Sequence, residues 1–124
     1  MVEFALISTL ALLVLVGGVQ VAIIGEAGLA VGQLAFQGAR YAAVNPSTSQ
    51  AGVTSYVQSI APSILGTTKN LSVTMNPSTT PRNFATTVTV TVAYTLGNLQ
   101  VLPNPFLGVS FPTSVSSTET AMSE

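Results

Sequence analysis

Cysteine and histidine are absent from this chain of 124 residues, and its four acids are all glutamates, at Glu3, Glu26, Glu119 and Glu124. Without a thiol or an imidazole there is no disulfide staple, no thiolate or imidazole metal site, and no Ser-His-Asp or Cys-His machinery. Charge of either sign is scarce: 6% of residues are charged, where an ordinary soluble domain carries about 25%. Three cations cannot build the basic face that a nucleic-acid partner needs. An acid/base pair would have to be assembled by folding from scattered glutamates, Lys69 or a tyrosine. The expectation is therefore a chain that is not an enzyme and needs no cofactor or metal.

What the chain has instead is apolar length. Phe4 to Gly25 carries no charged residue, and at about 1.5 Å of helical rise per residue it measures roughly 33 Å, the thickness of a bilayer's hydrocarbon core. A secretory signal would have a basic start and a shorter apolar core, so this stretch reads as a retained membrane-spanning segment. Residues 26–44 contain no proline and keep a spaced apolar pattern at Leu29, Leu34, Phe36, Tyr41 and Val44. Asn45-Pro46 is the first clear stop, because a proline disfavours helix in the residue before it. The predicted helix is about 65 Å long, more than a bilayer requires and more than a small domain can cover, so its protruding half needs partners.

Gly18, Gly25 and Gly32 recur every seven residues, with Ala11 and Ala39 extending the series at each end. Such a small-residue stripe lets helix backbones approach closely, and Gly28 with Gly32 adds a GxxxG. Two readings stand: a helix that packs against copies of itself, or glycine that is merely common in membrane helices. Glu3 also has two readings. A carboxylate beside an apolar run is costly to bury and pairs with an N-terminal amine of its own or a neighbouring chain, or it rests in the headgroup layer and favours the positive end of the helix dipole. Arg40, at the far end, is placed to favour the negative end of that dipole.

After Pro46 the composition turns to Ser, Thr, Asn and Pro, which divides the chain into a stalk, 1–45, and a head, 46–124. Residues 47–50 offer a capping box, and Val53, Tyr56, Val57, Ile60 and Ile64 follow helical spacing, predicting a helix from about Thr48 to Leu65 with an interruption at Pro62. Leu71, Val73 and Met75 alternate with polar residues, as do Val88, Val90, Val92 and Tyr94 within Phe84–Tyr94, giving two half-buried strands joined as an antiparallel hairpin. Two strands alone are marginal, so a third is expected from about Pro112 to Met122, with the sheet packed on helix. The apolar stretch from Gly97 to Gly108 reads as a core plug or as a contact for a neighbouring subunit. Lys69 and Arg82 read as solvated charges or as salt bridges to a neighbouring subunit. Asn70-Leu71-Ser72 matches the N-x-[ST] glycan acceptor pattern, which makes Asn70 a possible glycan site.

Val2-Glu3-Phe4-Ala5-Leu6 opening an apolar helix, Gly38-Ala39-Arg40-Tyr41-Ala42-Ala43-Val44 closing it, and a β-rich tail ending Glu119-Thr120-Ala121-Met122 form an order that resembles the TadE-like pilins and pseudopilins of the tight-adherence (Tad) branch of type IV filaments. The resemblance implies a subunit that is cleaved by a prepilin peptidase, held in the inner or cytoplasmic membrane by its N-terminal helix, and extracted into an extracellular filament by an ATPase-driven machine. It maps the assembly glutamate to Glu3, with Phe4 beside it, although type IV pilins usually place that glutamate fifth. The expected fold is α+β: a long hydrophobic N-terminal helix, a short helix and a small antiparallel sheet. The expected function is a structural subunit that polymerises with itself through its helix into a cell-surface pilus and binds no nucleic acid. A minor pseudopilin, and a single-span membrane protein whose small extracytoplasmic domain never polymerises, remain the alternatives. A tethered enzyme could nominate only Lys69 with Glu119.

Overall fold

With no proline before position 46 and a sequence rich in Ala and Leu, Val2–Val44 forms one continuous helix, α1. Its end is built as the sequence dictates. Asn45, ahead of a proline, leaves the helix at φ −117 and ψ 76, while its backbone N–H and its Nδ2 both donate to the Tyr41 carbonyl at 3.0 Å. The computed structural model describes residues 1–61, 71–78, 80–96, 110 and 112–123.

The second helix, α2, spans Gln50–Ile60 and is capped by Ser49, whose Oγ accepts from Gly52 N at 3.3 Å. It starts two residues later than Thr48 because that cap fixes the first turn. Ala61 is already extended, as the residue before Pro62 must be, so the helix ends there rather than near Leu65. Residues 62–65 themselves lie outside the described residues.

Three strands follow, β1 at Leu71–Asn76, β2 at Thr87–Thr95 and β3 at Ser114–Met122, in one antiparallel sheet of order β1-β2-β3. The register pairs Val73 with Val92 and Val92 with Ser117, and likewise Met75 with Val90 and Val90 with Glu119. Because the side-chain period is two, Leu71, Val73 and Met75 share the inner face with Val88, Val90, Val92 and Tyr94, all buried. The outer face carries rows of hydroxyls, with Thr91 Oγ1 and Thr118 Oγ1 2.9 Å apart. β2 begins at Thr87 and not at Phe84, since Ala85 takes a left-handed φ of 62° and Phe84 points into solvent. Ala85 N still donates to Ser123 O and Ser123 N to Thr86 O, which ties the entry of β2 to the exit of β3.

The core forms where α1 lies across the inner face of the sheet and α2 packs beside it over β1. α1 contributes Ala27, Ala30, Val31, Leu34, Ala35, Ala39 and Ala42, α2 contributes Val53 and Val57, and the spacing of three and four is one helical stripe. The stripe is mostly alanine, so helix and sheet come close. At Gly38 an added Cβ would stand 3.0 Å from Val57 Cγ2 and 3.3 Å from Val90 Cγ1, so any side chain here would press both valines aside by a few tenths of an ångström. Each fully buried valine of β2 contributes about 1.5–3 kcal/mol relative to exposure. Gln50 Oε1 accepts from Met75 N at 3.3 Å, so α2 satisfies one donor on the open edge of β1.

Candidate functional site

The surface that the rest of the molecule leaves uncovered begins at the N-terminus of α1. From Val2 to Leu15 the helix is exposed on every side, with Phe4, Leu10 and Leu15 at 76%, 61% and 66% of full exposure. α1 is long and apolar enough to cross a membrane, and only 6% of its most apolar stretch is buried by the protein itself. That low burial separates it from the core helix of a soluble fold. Its hydroxyls are satisfied within the helix: Ser8 Oγ donates to Phe4 O, and Thr9 Oγ1 to Ala5 O at 2.8 Å. Neither residue therefore presents an unmet donor to lipid or to an apolar neighbour.

Glu3 sits in the first turn, exposed, and Met1 at the N-cap makes no side-chain capping bond. Among the described residues Glu3 has no ion-pair partner, so its carboxylate faces outward beside Phe4. Gly18, Gly25 and Gly28 are open: a Cβ on any of them would meet nothing within 4 Å. Gly32 is half-covered, with Ser117 Oγ at 3.9 Å from where its Cβ would stand. The seven-residue stripe thus runs along bare helix at Ala11, Gly18 and Gly25, borders the head at Gly32 and passes under it at Ala39.

From Ala27 onward α1 has two different faces. The alanine face is buried, whereas Leu29, Phe36 and Val44 from the apolar pattern of the sequence are 66%, 57% and 53% exposed. Of that pattern Leu34 alone is fully buried; Tyr41 is half-buried and stacks on Tyr56 of α2, with centroids 4.1 Å apart and planes 7° apart. Shallow grooves flank the exposed strip, among them one of about 330 Å³ where Phe36, Arg40 and Val44 face Thr120 to Met122 of β3. Another, of about 340 Å³, lies between α1 and β3 and is lined by Gly28, Leu29, Gly32, Gln33, Phe36, Gln37 and the half-buried Glu119. A third, of about 480 Å³, lies between α1 and α2 and includes Phe36, Arg40, Tyr41, Val44 and Tyr56.

Two basic residues are not where the sequence suggests. Arg82 is not solvated: it is 6% exposed, and its Nη2 donates to Ala42 O at 2.6 Å and Asn45 O at 2.8 Å while Nη1 donates to Thr48 O at 3.0 Å. Its backbone N donates to Pro46 O at 3.0 Å as well. The guanidinium therefore closes the C-terminus of α1, where the last carbonyls have no helical partners and the dipole is negative. Arg40, expected in that role, is exposed one residue before the last turn, which contains no basic residue. Sequence reasoning missed both Arg82 and Gly38 as structural residues. A hint for Gly38 lay in its place between Leu34 and Ala42 at spacings of four; nothing local marks Arg82. Asn70, Lys69 and the stretch Gly97–Gly108 lie outside the described residues.

No family model, curated protein or solved structure matches this chain. The class that the structure defines is an α+β protein with a long, uncovered, membrane-capable N-terminal helix and a small helix-and-sheet head.

Proposed function

We propose that the chain is a structural subunit of a Tad-type, type IV-like filament, held in a membrane by α1 before assembly and packed against copies of α1 afterwards. One observation carries the reading: a single helix is apolar and bare on all sides from Val2 to Leu15, yet roofed on one face by its own head from Ala27 onward. A simple anchor accounts for the first half alone. It does not account for Leu29, Phe36 and Val44, which are exposed large side chains at the level of the head. Covering one such side chain fully is worth about 1.5–3 kcal/mol, and the open Gly18, Gly25 and Gly28 give neighbouring backbones room to approach. The hydroxyl-rich outer sheet face would then form the filament surface. By the same resemblance, a prepilin peptidase and an ATPase-driven machine would process and extract the subunit.

Electron microscopy of material sheared from the cell surface, with intact-mass analysis, tests this. Filaments dominated by this chain's mass support a main subunit, a trace amount points to a minor pseudopilin, and sheared material without it leaves a membrane-anchored protein that does not polymerise. Glu3→Ala separates the cases further: filament yield falls while membrane residence is unchanged if Glu3 serves assembly.

A further inference from the structure

The groove between α1 and β3 sets Leu29, Phe36, two glycines and two glutamines around one carboxylate, that of Glu119. Glu119 stands in the cross-strand row Met75–Val90–Glu119, on the inner face of an edge strand, where a buried hydrophobic side chain would ordinarily complete the core. Instead the carboxylate opens beside Gly28 and Gly32, whose missing side chains leave the space, and between Leu29 and Phe36, which stay exposed. An occupant that fits must be an apolar rod carrying a cation. α1 itself presents that chemistry, with Arg40 flanked by Phe36 on one side and Val44 on the other, all three exposed.

Resting on the filament reading above, we infer that Arg40 of one copy enters the Glu119 groove of the next. Glu119 lies level with Gly32 and Gln33, between Gly28 and Gln37 along the helix. Arg40 lies seven to eight residues further on, which is about 11 Å at 1.5 Å per residue. Parallel copies offset by that distance bring the two charges together. The same offset matches the seven-residue recurrence of Ala11, Gly18, Gly25, Gly32 and Ala39, setting each small residue level with the next small residue of its neighbour. Arg40 stands one helical turn beyond Phe36, about 40° around the axis, so donor and groove share one side of α1 at different heights. The axial rise between copies makes the contact one-way, Arg40 to Glu119 and not the reverse, and such a contact repeats without closing on itself. The parallel orientation that a shared membrane imposes is the one that permits it.

The test uses the full chain in cells, with Arg40→Glu, Glu119→Arg and the double exchange. Each single reversal lowers the ratio of sheared filament to membrane-held subunit at least tenfold, and the double exchange restores most of it, with membrane levels constant throughout. Because the protein has no cysteine, a short-spacer bismaleimide acting on the Leu29→Cys/Gln37→Cys double variant, which keeps both charges and sets residue 37 of one copy level with residue 29 of the next, reports the contact directly. A ladder of multimers is the expected product, whereas cross-linking that stops at monomer or dimer overturns the inference. Filaments that form equally well with either charge reversed remove this contact and leave the filament reading standing; absence of wild-type filaments removes both.

Discussion

The two halves of α1 are one unbroken helix placed in two different environments. From Val2 to Leu15 most side chains are apolar and all are uncovered; from Ala27 onward one face is mostly small and buried and the other carries the exposed Leu29, Phe36 and Val44. Size, more than hydrophobicity, separates them. A helix that meets its own sheet at close range favours Ala and Gly at the contact, as at Gly38, where an added Cβ would stand 3.0 Å from Val57 Cγ2. A helix that meets lipid or other helices can carry Leu and Ile everywhere, with glycines left open as docking space. Where small residues are buried they meet the head of the same chain, and where they are bare they leave open space.

That contrast breaks most readily at its hinge. Replacing Arg82 with Met leaves the carbonyls of Ala42, Asn45 and Thr48 without their donor, and the head loses about 3–5 kcal/mol. Chemical denaturation of the full chain in detergent, followed by tyrosine near-UV dichroism, would show the midpoint fall while α1 stays helical. In the N-terminal half the equivalent blow is Leu10→Arg, which costs about 2.5–3.5 kcal/mol of membrane insertion and leaves the denaturation midpoint of the head where it was. Carbonate extraction of membranes measures the first effect and the same dichroism the second.

Glycine substitutions sharpen the contrast at finer scale. Gly38→Leu overpacks the contact among α1, α2 and β2 and destabilises the head by about 1–3 kcal/mol. Gly25→Leu meets nothing within the subunit, so its unfolding is unchanged or slightly later, and the loss falls on helix–helix association, read as dissociation of cross-linkable oligomers in detergent. The smallest effect is expected at Ser49→Ala, where loss of one N-cap bond to Gly52 costs about 1 kcal/mol and changes nothing in α1.

Much of this architecture was legible in the sequence because it rests on local periods. The alternation of Val88, Val90, Val92 and Tyr94 needs only their spacing, and β3 followed from the need for a third strand; Ser114–Met122 falls inside the stretch expected. Asn45-Pro46 marks the end of α1 for a reason contained in two residues. What escaped depends on distant parts of the chain. Arg82 is buried by carbonyls 34 to 40 residues away, and a lone arginine in a turn-rich segment gives no sign of them. The apolar pattern of Leu29, Phe36 and Val44 is visible in the letters, but which helix face the sheet covers depends on how closely it can approach, and alanines decide that. Of the candidate surface the stripe of small residues is visible in the letters; the groove that Glu119 makes beside it is not, since β3 comes some 90 residues later in the chain.

The most direct test is a cysteine scan along α1 in the membrane-held subunit, with each position labelled by a membrane-impermeant maleimide against a background that has no thiol of its own. The account predicts protection without periodicity from Phe4 into the lower twenties. From Ala27 it predicts a helical period, with Ala27, Val31, Leu34 and Ala35 protected and Leu29, Phe36 and Arg40 labelled. Labelling that follows a single helical period from one end of α1 to the other, with one face open to water throughout, would contradict it.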